Sequence, residues 1–400
     1  MYFSGLIRKP TDVSIGALVE NKFMLPALQE FRELDENDRK RSGLKSNLTM
    51  AQGQRYNDGK NGKFNINREV LPYDQTRVKL KTPINGIDYI NATWIQRITG
   101  SNPYEDVYKF LPAAKINFLL TQDPTPDTQE HFYQMMYEQQ VDIIVHVGSD
   151  KSLQQWNKEA YGKVSKELIE CIQLNEYMTR EKFDIYVKHN KSTINHPITA
   201  YHFTAWPTND QFSDIESKKF LTMISIIRRD IGKPTKQFTI ASHDSFGGVE
   251  GASSFLLLFQ MVQELETKLK VRKLELGNIS RQREIEYMNV FEKVDVARKH
   301  RAHMISTFSN YKFLFSTLAY YAKNKSMFDI ILTKFEKNSN EKPMSPDLSK
   351  PSENLTNHEI EYATIYSDEI EDAHNVYAND ELIQDVSNND TYYNDDIYVN

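Results

Sequence analysis

The sequence predicts one large α/β domain followed by an acidic tail, and three observations carry that expectation. Short continuous apolar runs such as "VDIIVHV" (Val141 to Val147) have the pattern of strands covered on both faces. Segments with helical spacing separate them, as in "DIESKKFLTMISIIRRDI" (Asp214 to Ile231). After about Glu336 the composition changes: Ser, Asn, Pro and Glu dominate, and every aromatic residue is a tyrosine. Length alone allows about two to three domains. One folded domain over 1–336 with a tail over 337–400 is equally compatible and is the division adopted.

Leu18, Phe23, Leu28 and Phe31 place a helical region at the N-terminus, interrupted near Pro26 and ending about Leu34, before polar, irregular chain to Asn67. Strand-like segments follow at Tyr89 to Ile98, Asp106 to Ala113 and "NFLLTQD". Phe132, Met135 and Met136 lie on one face of a helix spanning Asp127 to Gln140, with Asp127 or Thr128 as N-cap. Val141 to Val147, "ELIECIQLNEYM", "EKFDIYVKHN" and "PITAYHFTAWP" read as further β segments. A strand "QFTIAS" ends at Ser242, and the apolar positions Phe255, Leu258, Phe259, Val262, Leu265 and Leu269 then recur every three or four residues along a long, largely buried helix. Helices around Glu284 to Lys299 and Ser309 to Ala322 close the domain near Lys325. No internal repeat is present.

The net charge of −6 conceals a division. From Glu341 onward there are fifteen acidic residues and two lysines, leaving 40 acidic and 47 basic residues in the first 340. Too little apolar surface remains in the tail to offset the entropy of ordering it, so it is expected to be disordered. No run of about 18 to 20 apolar residues is present to span a bilayer, and the N-terminus lacks the pattern of a secretory signal. The expected location is the cytoplasm, either free or as the intracellular part of a membrane receptor. The single Cys171 excludes a disulfide framework or a multi-cysteine zinc site and reads as a buried strand residue.

The segment "HDSFGGVEG" (His243 to Gly251) joins a strand to a helix through glycines, an arrangement that aims backbone N–H groups at one point and suits an anion. Yet it carries Asp244 and Glu250 and no basic residue. Those carboxylates can serve as the built-in anion that accepts the loop's N–H groups or caps the helix. The alternative, a divalent cation held between them, lacks identifiable further ligands. The segment "GGVEGAS" also lacks the Lys-Ser/Thr of a nucleotide-binding loop.

"NREVLPYDQTRVKL" (Asn67 to Leu80), "DYINATWI" (Asp88 to Ile95), "FLLTQDPTPDTQEHFYQMMYEQQVDIIVHV" (Phe118 to Val147), "AWPT" (Ala205 to Thr208) and "RAHMISTFSNYKFLF" (Arg301 to Phe315) resemble, in order and spacing, a protein tyrosine phosphatase domain. The resemblance covers roughly residues 10 to 325 and is greatest to the membrane-distal second domain of receptor-type phosphatases. It implies a twisted, mixed β-sheet flanked by helices. It also implies that Asp244 stands where active members carry the nucleophilic cysteine, and Glu250 where they carry the arginine that clamps phosphate. Thr208 takes the general-acid position, with Asp210 two residues on as a conceivable substitute. Ser306 and Asn310 replace the glutamines that position water, and "FNIN" (Phe64 to Asn67) puts Asn67 at the ring-stacking position. Pro72, Tyr73, Asp74, Arg77, Tyr89, Asn91, Gln122, Pro124, Trp206, Pro207 and Gly247 keep the packing pattern, whereas Gly248 replaces a valine and Asp123 a glycine.

Unit charges about 4 Å apart at an effective dielectric of about 20 interact by about 4 kcal/mol, so two ionised carboxylates would repel a phosphate dianion by several kcal/mol. The expected function is that of a catalytically inactive phosphatase domain acting as a regulatory or scaffolding module, without cofactor, metal, nucleic acid or membrane insertion. An active phosphatase and a phosphotyrosine-binding pseudoenzyme are the alternatives. In the tail, "IEYATI" around Tyr362 resembles an immunoreceptor-type inhibitory pattern, and "YAN" at Tyr377 and "YVN" at Tyr398 resemble the Tyr-x-Asn motif read by Src-homology-2 domains of adaptors. The expected partners are therefore proteins: an active phosphatase domain and Src-homology-2 proteins.

Overall fold

A computed structural model describes residues 13–14, 24–42, 48–57, 64–95, 116–149, 160–189, 192–209, 211–232, 234–275, 287–324 and 328. In chain order these form β1 (Val13–Ser14), α1 (Met24–Ser42), α2 (Ala51–Arg55), β2 (Arg77–Ile84), β3 (Ile87–Ile95), β4 (Ile116–Gln122), α3 (Gln129–Glu138), β5 (Ile143–Val147), β6 (Ala160–Tyr161), β7 (Val164–Asn175), β8 (Met178–His189) and β9 (Ser192–Phe203). Then come α4 (Asp214–Ile231), β10 (Phe238–Asp244), α5 (Gly251–Glu275), β11 (Tyr287–Met288), α6 (Val290–Arg298) and α7 (Phe308–Lys323). Strand Asp106 to Ala113, Asp210, and the tail with Tyr362, Tyr377 and Tyr398 lie outside the described residues.

Among the described residues, nine strands form one mixed sheet in the order β2-β3-β4-β10-β5-β9-β8-β7-β6, and β1 pairs separately with β11. The four central strands, β4, β10, β5 and β9, run parallel, while the strands on either wing are antiparallel. Central parallel strands are covered on both faces, which is why every residue of β5 is buried. Successive side chains alternate between the faces. Leu119, Ala241 and Ile144 pack on one side with Phe132, Met135 and Met136 of α3. Phe118 points the other way, its ring 5.7 Å from that of Phe259 on α5. Beyond α5, Trp206 packs on Phe220 of α4 and Phe313 of α7 at 5.6 Å each, closing the second layer.

Local signals explain where several elements begin. Ser213 and Glu216 form a reciprocal capping box at the start of α4, and Asn289 and Thr307 cap α6 and α7 through their side chains. Thr128 does occupy the N-cap position of α3, but its hydroxyl bonds to Thr125 rather than to the helix.

The structure differs from the sequence expectations at four places. Helix α1 continues to Ser42 instead of ending near Leu34, because its charged second half has partners: Asp35 and Asp38 accept from buried Arg298 at 2.9 and 3.1 Å, and Arg41 pairs with Asp295. Strand β2 is an addition; only Val78 and Leu80 of it are buried before the exposed Lys81-Thr82-Pro83, so it shows little period-2 signal. Cys171 lies on a strand as expected but is exposed, because β7 belongs to a wing on which Leu168 and Ile169 also face outward. Helix α6 also begins later than the spacing suggests, after the short β11.

Candidate functional site

Strand β10 lies between β4 and β5 and ends at Asp244, where the chain turns through Gly247 and Gly248 into α5. Both glycines have positive φ, 86° and 78°. A Cβ on Gly248 would lie 2.5 Å from the Thr121 carbonyl oxygen, so the turn can pass this close to β4 only with glycine there.

The turn curls around the Asp244 carboxylate. One oxygen accepts the N–H groups of Phe246 (2.9 Å) and Gly248 (2.6 Å), and the other accepts those of Glu250 (3.2 Å) and Ala252 (3.0 Å). The side chain at the end of the strand therefore fills the cradle, and the residue is only 2% exposed. Burial pushes its pKa up to about 6; the charge of Asp123 adds to the rise, while the Ala252, Gly248 and Glu250 N–H groups oppose it.

Glu250 does not join Asp244. Its carboxylate accepts the Ser306 hydroxyl at 2.9 Å, so two of the positions singled out in the sequence meet at the rim. The segment before Ser306 is fastened to the turn by Ile305 N–H donating to the Val249 carbonyl at 2.7 Å. Arg301, fully buried, supports the turn from behind: its guanidinium donates to the Gly247 carbonyl (2.5 and 3.1 Å), to Thr93 (3.0 Å) and to Asn91 (2.6 Å).

The other singled-out positions have separate partners, although their segments border the turn, with Val70 beside Gly247 and Trp206 beside Gly251. Thr208 is exposed after β9, past a buried Trp206. Asn67 accepts the Glu69 N–H at 2.9 Å and shapes its own turn, while Asn65 beside it is buried and accepts from Tyr89 and Asn91. Asn310 is fully buried in the first turn of α7, and its carboxamide makes no hydrogen bond among the described residues. The two-carboxylate cation site is not formed, since the Asp244 oxygens face backbone donors and Glu250 faces Ser306.

Sequence reasoning missed a buried histidine rung. His243, His146 and His202 occupy matched positions on the neighbouring parallel strands β10, β5 and β9. They continue the faces of Ala241, Ile144 and Ala200 toward α3. Ring centroids are 4.9 Å apart for His243 and His146 and 5.9 Å for His146 and His202. Carboxylates close both ends: Asp123 lies 2.7 Å from His243 Nδ1, and Glu181 lies 3.5 Å from His202 Nε2. Burial pushes the His243 pKa down to about 4 against the pull of Asp123, and it likewise lowers that of His202. Burial works against the ionised Asp123, but hydrogen bonds from His146 and His243 hold its carboxyl well below the usual range. Each histidine sits alone at a strand end in sequence ("VHV", "YHF", "SHD"), so only strand register reveals the rung.

The family described as protein-tyrosine phosphatase matches residues 61–320. This chain belongs to the protein-tyrosine phosphatase family. Among its relatives, human receptor-type tyrosine-protein phosphatase eta is 27% identical over 268 residues, covering 64% of this chain and 17% of the relative. Human receptor-type tyrosine-protein phosphatase C is 25% identical over 285 residues, covering 66% and 20%. Mouse tyrosine-protein phosphatase non-receptor type 14 is 26% identical over 340 residues, covering 80% and 25%. The matched part of this phosphatase-family chain thus spans a quarter or less of the length of these relatives. The crystal structure of the catalytic domain of human protein tyrosine phosphatase non-receptor type 18 superposes with a TM-score of 0.55 at 20% identity, covering 78% of this chain and 99% of that one. The expected phosphatase fold is the observed fold, and the chain is related to receptor-type phosphatases.

Proposed function

We propose that this phosphatase-family domain is a pseudophosphatase that works as a regulatory or scaffolding module, in the manner of a receptor's second phosphatase domain. The observation that carries the proposal is the Asp244 carboxylate held by four backbone N–H groups at 2.6–3.2 Å. A cradle of this kind can hold a phosphoryl group only if those donors are available. Here a phosphate dianion would have to displace a side chain that is already anionic and would then lie near Glu250. Each like-charge contact at about 4 Å costs about 4 kcal/mol at an effective dielectric of about 20.

Phosphate-ester cleavage by this family's resembled chemistry also needs a thiolate in the turn. The chain's single cysteine, Cys171, stands on β7, four strands from β10, or about 19 Å across the sheet at ~4.8 Å per strand. Partial desolvation of this exposed residue, with the charge of Glu181, raises the pKa of its thiol. Family membership alone favours an active phosphatase, and loss of only the nucleophile would favour a phosphotyrosine-binding pseudoenzyme. Glu250 at the position resembling the clamp arginine argues against both.

In this reading the phosphate chemistry associated with the chain is done to it: Tyr362, Tyr377 and Tyr398 are docking sites for Src-homology-2 domains once phosphorylated. The domain's other partner is an active phosphatase domain, and its place is the cytoplasm or the intracellular part of a receptor. Hydrolysis of a chromogenic aryl phosphate and titration with phosphotyrosine peptides separate the readings. Neither turnover nor binding is expected; turnover would establish an active enzyme, and binding without turnover a phosphotyrosine-binding module.

A further inference from the structure

Behind the turn, Asp123, His146 and His243 are all buried, and one potential ligand atom from each lies within 4.8 Å of the others. We propose that these three side chains bind a single Zn²⁺ ion. The proposal does not depend on whether the domain hydrolyses phosphate.

Two imidazoles and a carboxylate form one of the donor sets that zinc accepts at about 2.0–2.2 Å. Two ligands on a tetrahedral ion of that bond length are about 3.4 Å apart. The Asp123 oxygens lie 2.7 Å from His243 Nδ1 and 3.8 Å from His146 Nε2, on either side of that spacing. All three separations are within 4.8 Å, so side-chain adjustments of about 1 Å bring the ligands toward that spacing, and the backbone can stay where pairing of β4, β10 and β5 fixes it. The coordinate bond from His243 Nδ1 replaces its hydrogen bond to Asp123, and the imidazole stays neutral, its one proton moving from Nδ1 to Nε2. Three protein ligands leave a fourth position for water, as in open zinc sites.

The surroundings resemble the outer support of a metal site. A ligating histidine is normally oriented by a partner on its far side, which is in turn held by a carboxylate. Here His202 lies beyond His146, with ring centroids 5.9 Å apart. Glu181 lies beyond His202, and Lys166 pairs with Glu181 at 3.1 Å. His202, with Glu181 behind it, thus stands where such a supporting partner of His146 would be. The ion would tie the end of β4 to β5 and β10 directly beneath the turn that begins at Asp244.

The test uses the full-length chain, stripped with a chelator and titrated with Zn²⁺ in competition with a chromophoric chelator, and separately with Co²⁺. One equivalent of Zn²⁺ should bind with a dissociation constant below about 1 μM, and Co²⁺ should give visible bands between about 500 and 650 nm that Zn²⁺ abolishes. Asp123→Asn and His146→Gln should each weaken Zn²⁺ binding at least 100-fold, whereas the exposed His303→Asn should not change it. X-ray absorption of the wild-type Zn²⁺ form should show only nitrogen and oxygen neighbours with two imidazoles, a readout that does not require a folded variant. Absence of stoichiometric binding by the wild-type chain would overturn the site. So would affinity unchanged in both folded ligand variants, or an absorption spectrum without imidazole.

Discussion

Replacing Asp244 with alanine removes the acceptor for four buried backbone N–H groups at once. An unsatisfied buried donor costs about 1–3 kcal/mol. At about 1.5 kcal/mol each, four dry donors cost about 6 kcal/mol, and about half that if water enters the space left by the carboxylate. The expected loss is therefore about 3–6 kcal/mol, measured by urea denaturation of wild type and variant with the slopes compared. The same change empties the cradle of its built-in anion. Inorganic phosphate or sulfate should then restore stability to Asp244→Ala, by about 2.7 kcal/mol at a hundredfold excess over its dissociation constant, and should leave the wild type unaffected. Equal stability of the two proteins, or equal response to phosphate, would refute the reasoning that the carboxylate organises the turn.

The pH dependence of stability should expose the same group. The Asp244 pKa is raised to about 6, so its favourable contribution is complete below the ordinary value of 3.8 and is lost as pH rises through 6. That of His243 is lowered from 6.5 to about 4, so its contribution is complete above 6.5 and is lost as pH falls toward 4. The two trends, each about 3 kcal/mol at 1.36 kcal/mol per pKa unit, oppose one another in the wild type. In Asp244→Asn the histidine trend should stand alone as a rise in stability from pH 4 to 6.5; a profile parallel to wild type would contradict it. Arg301→Met should cost at least 3 kcal/mol by leaving the Gly247 carbonyl and Asn91 without their buried donor, and a loss under 1 kcal/mol would show that the turn stands without it. Asp244→Cys combined with Glu250→Arg and Thr208→Asp should bind vanadate measurably by calorimetry, because the turn and the start of α5 supply the backbone donors. Asp244→Cys alone should not restore turnover. Phosphopeptides around Tyr377 and Tyr398 should bind adaptor Src-homology-2 domains at micromolar or tighter affinity, about −8 kcal/mol, and Asn379→Ala and Asn400→Ala should abolish this.

Legibility in the sequence followed the physics of each element. β5 and α4 were readable because burial on both faces or on one stripe writes a periodic pattern, and α4 also begins with a local capping signal. The second half of α1 was not, since ion pairs with Arg298 and Asp295, about 260 residues away in sequence, sustain a polar helix that no local period marks. Cys171 was misplaced for a related reason: β-propensity locates a strand without saying that one face of a wing lacks a covering helix. At the site, "HDSFGGVEG" announced an anion cradle and two carboxylates. It did not show that Asp244 alone fills the cradle while Glu250 turns to Ser306, because both partners are set by tertiary geometry. The histidine rung depends on register between strands that are distant in sequence.

The Asp244 carboxylate fills the cradle of this phosphatase-family domain, and the proposed pseudophosphatase role stands or falls on whether that domain hydrolyses phosphate esters. Release of inorganic phosphate from a phosphotyrosine peptide, measured for the purified wild-type chain beside its Asp244→Ala variant, decides this. No release above buffer is expected from either protein; phosphate release by the wild type that disappears in the variant would overturn the proposal.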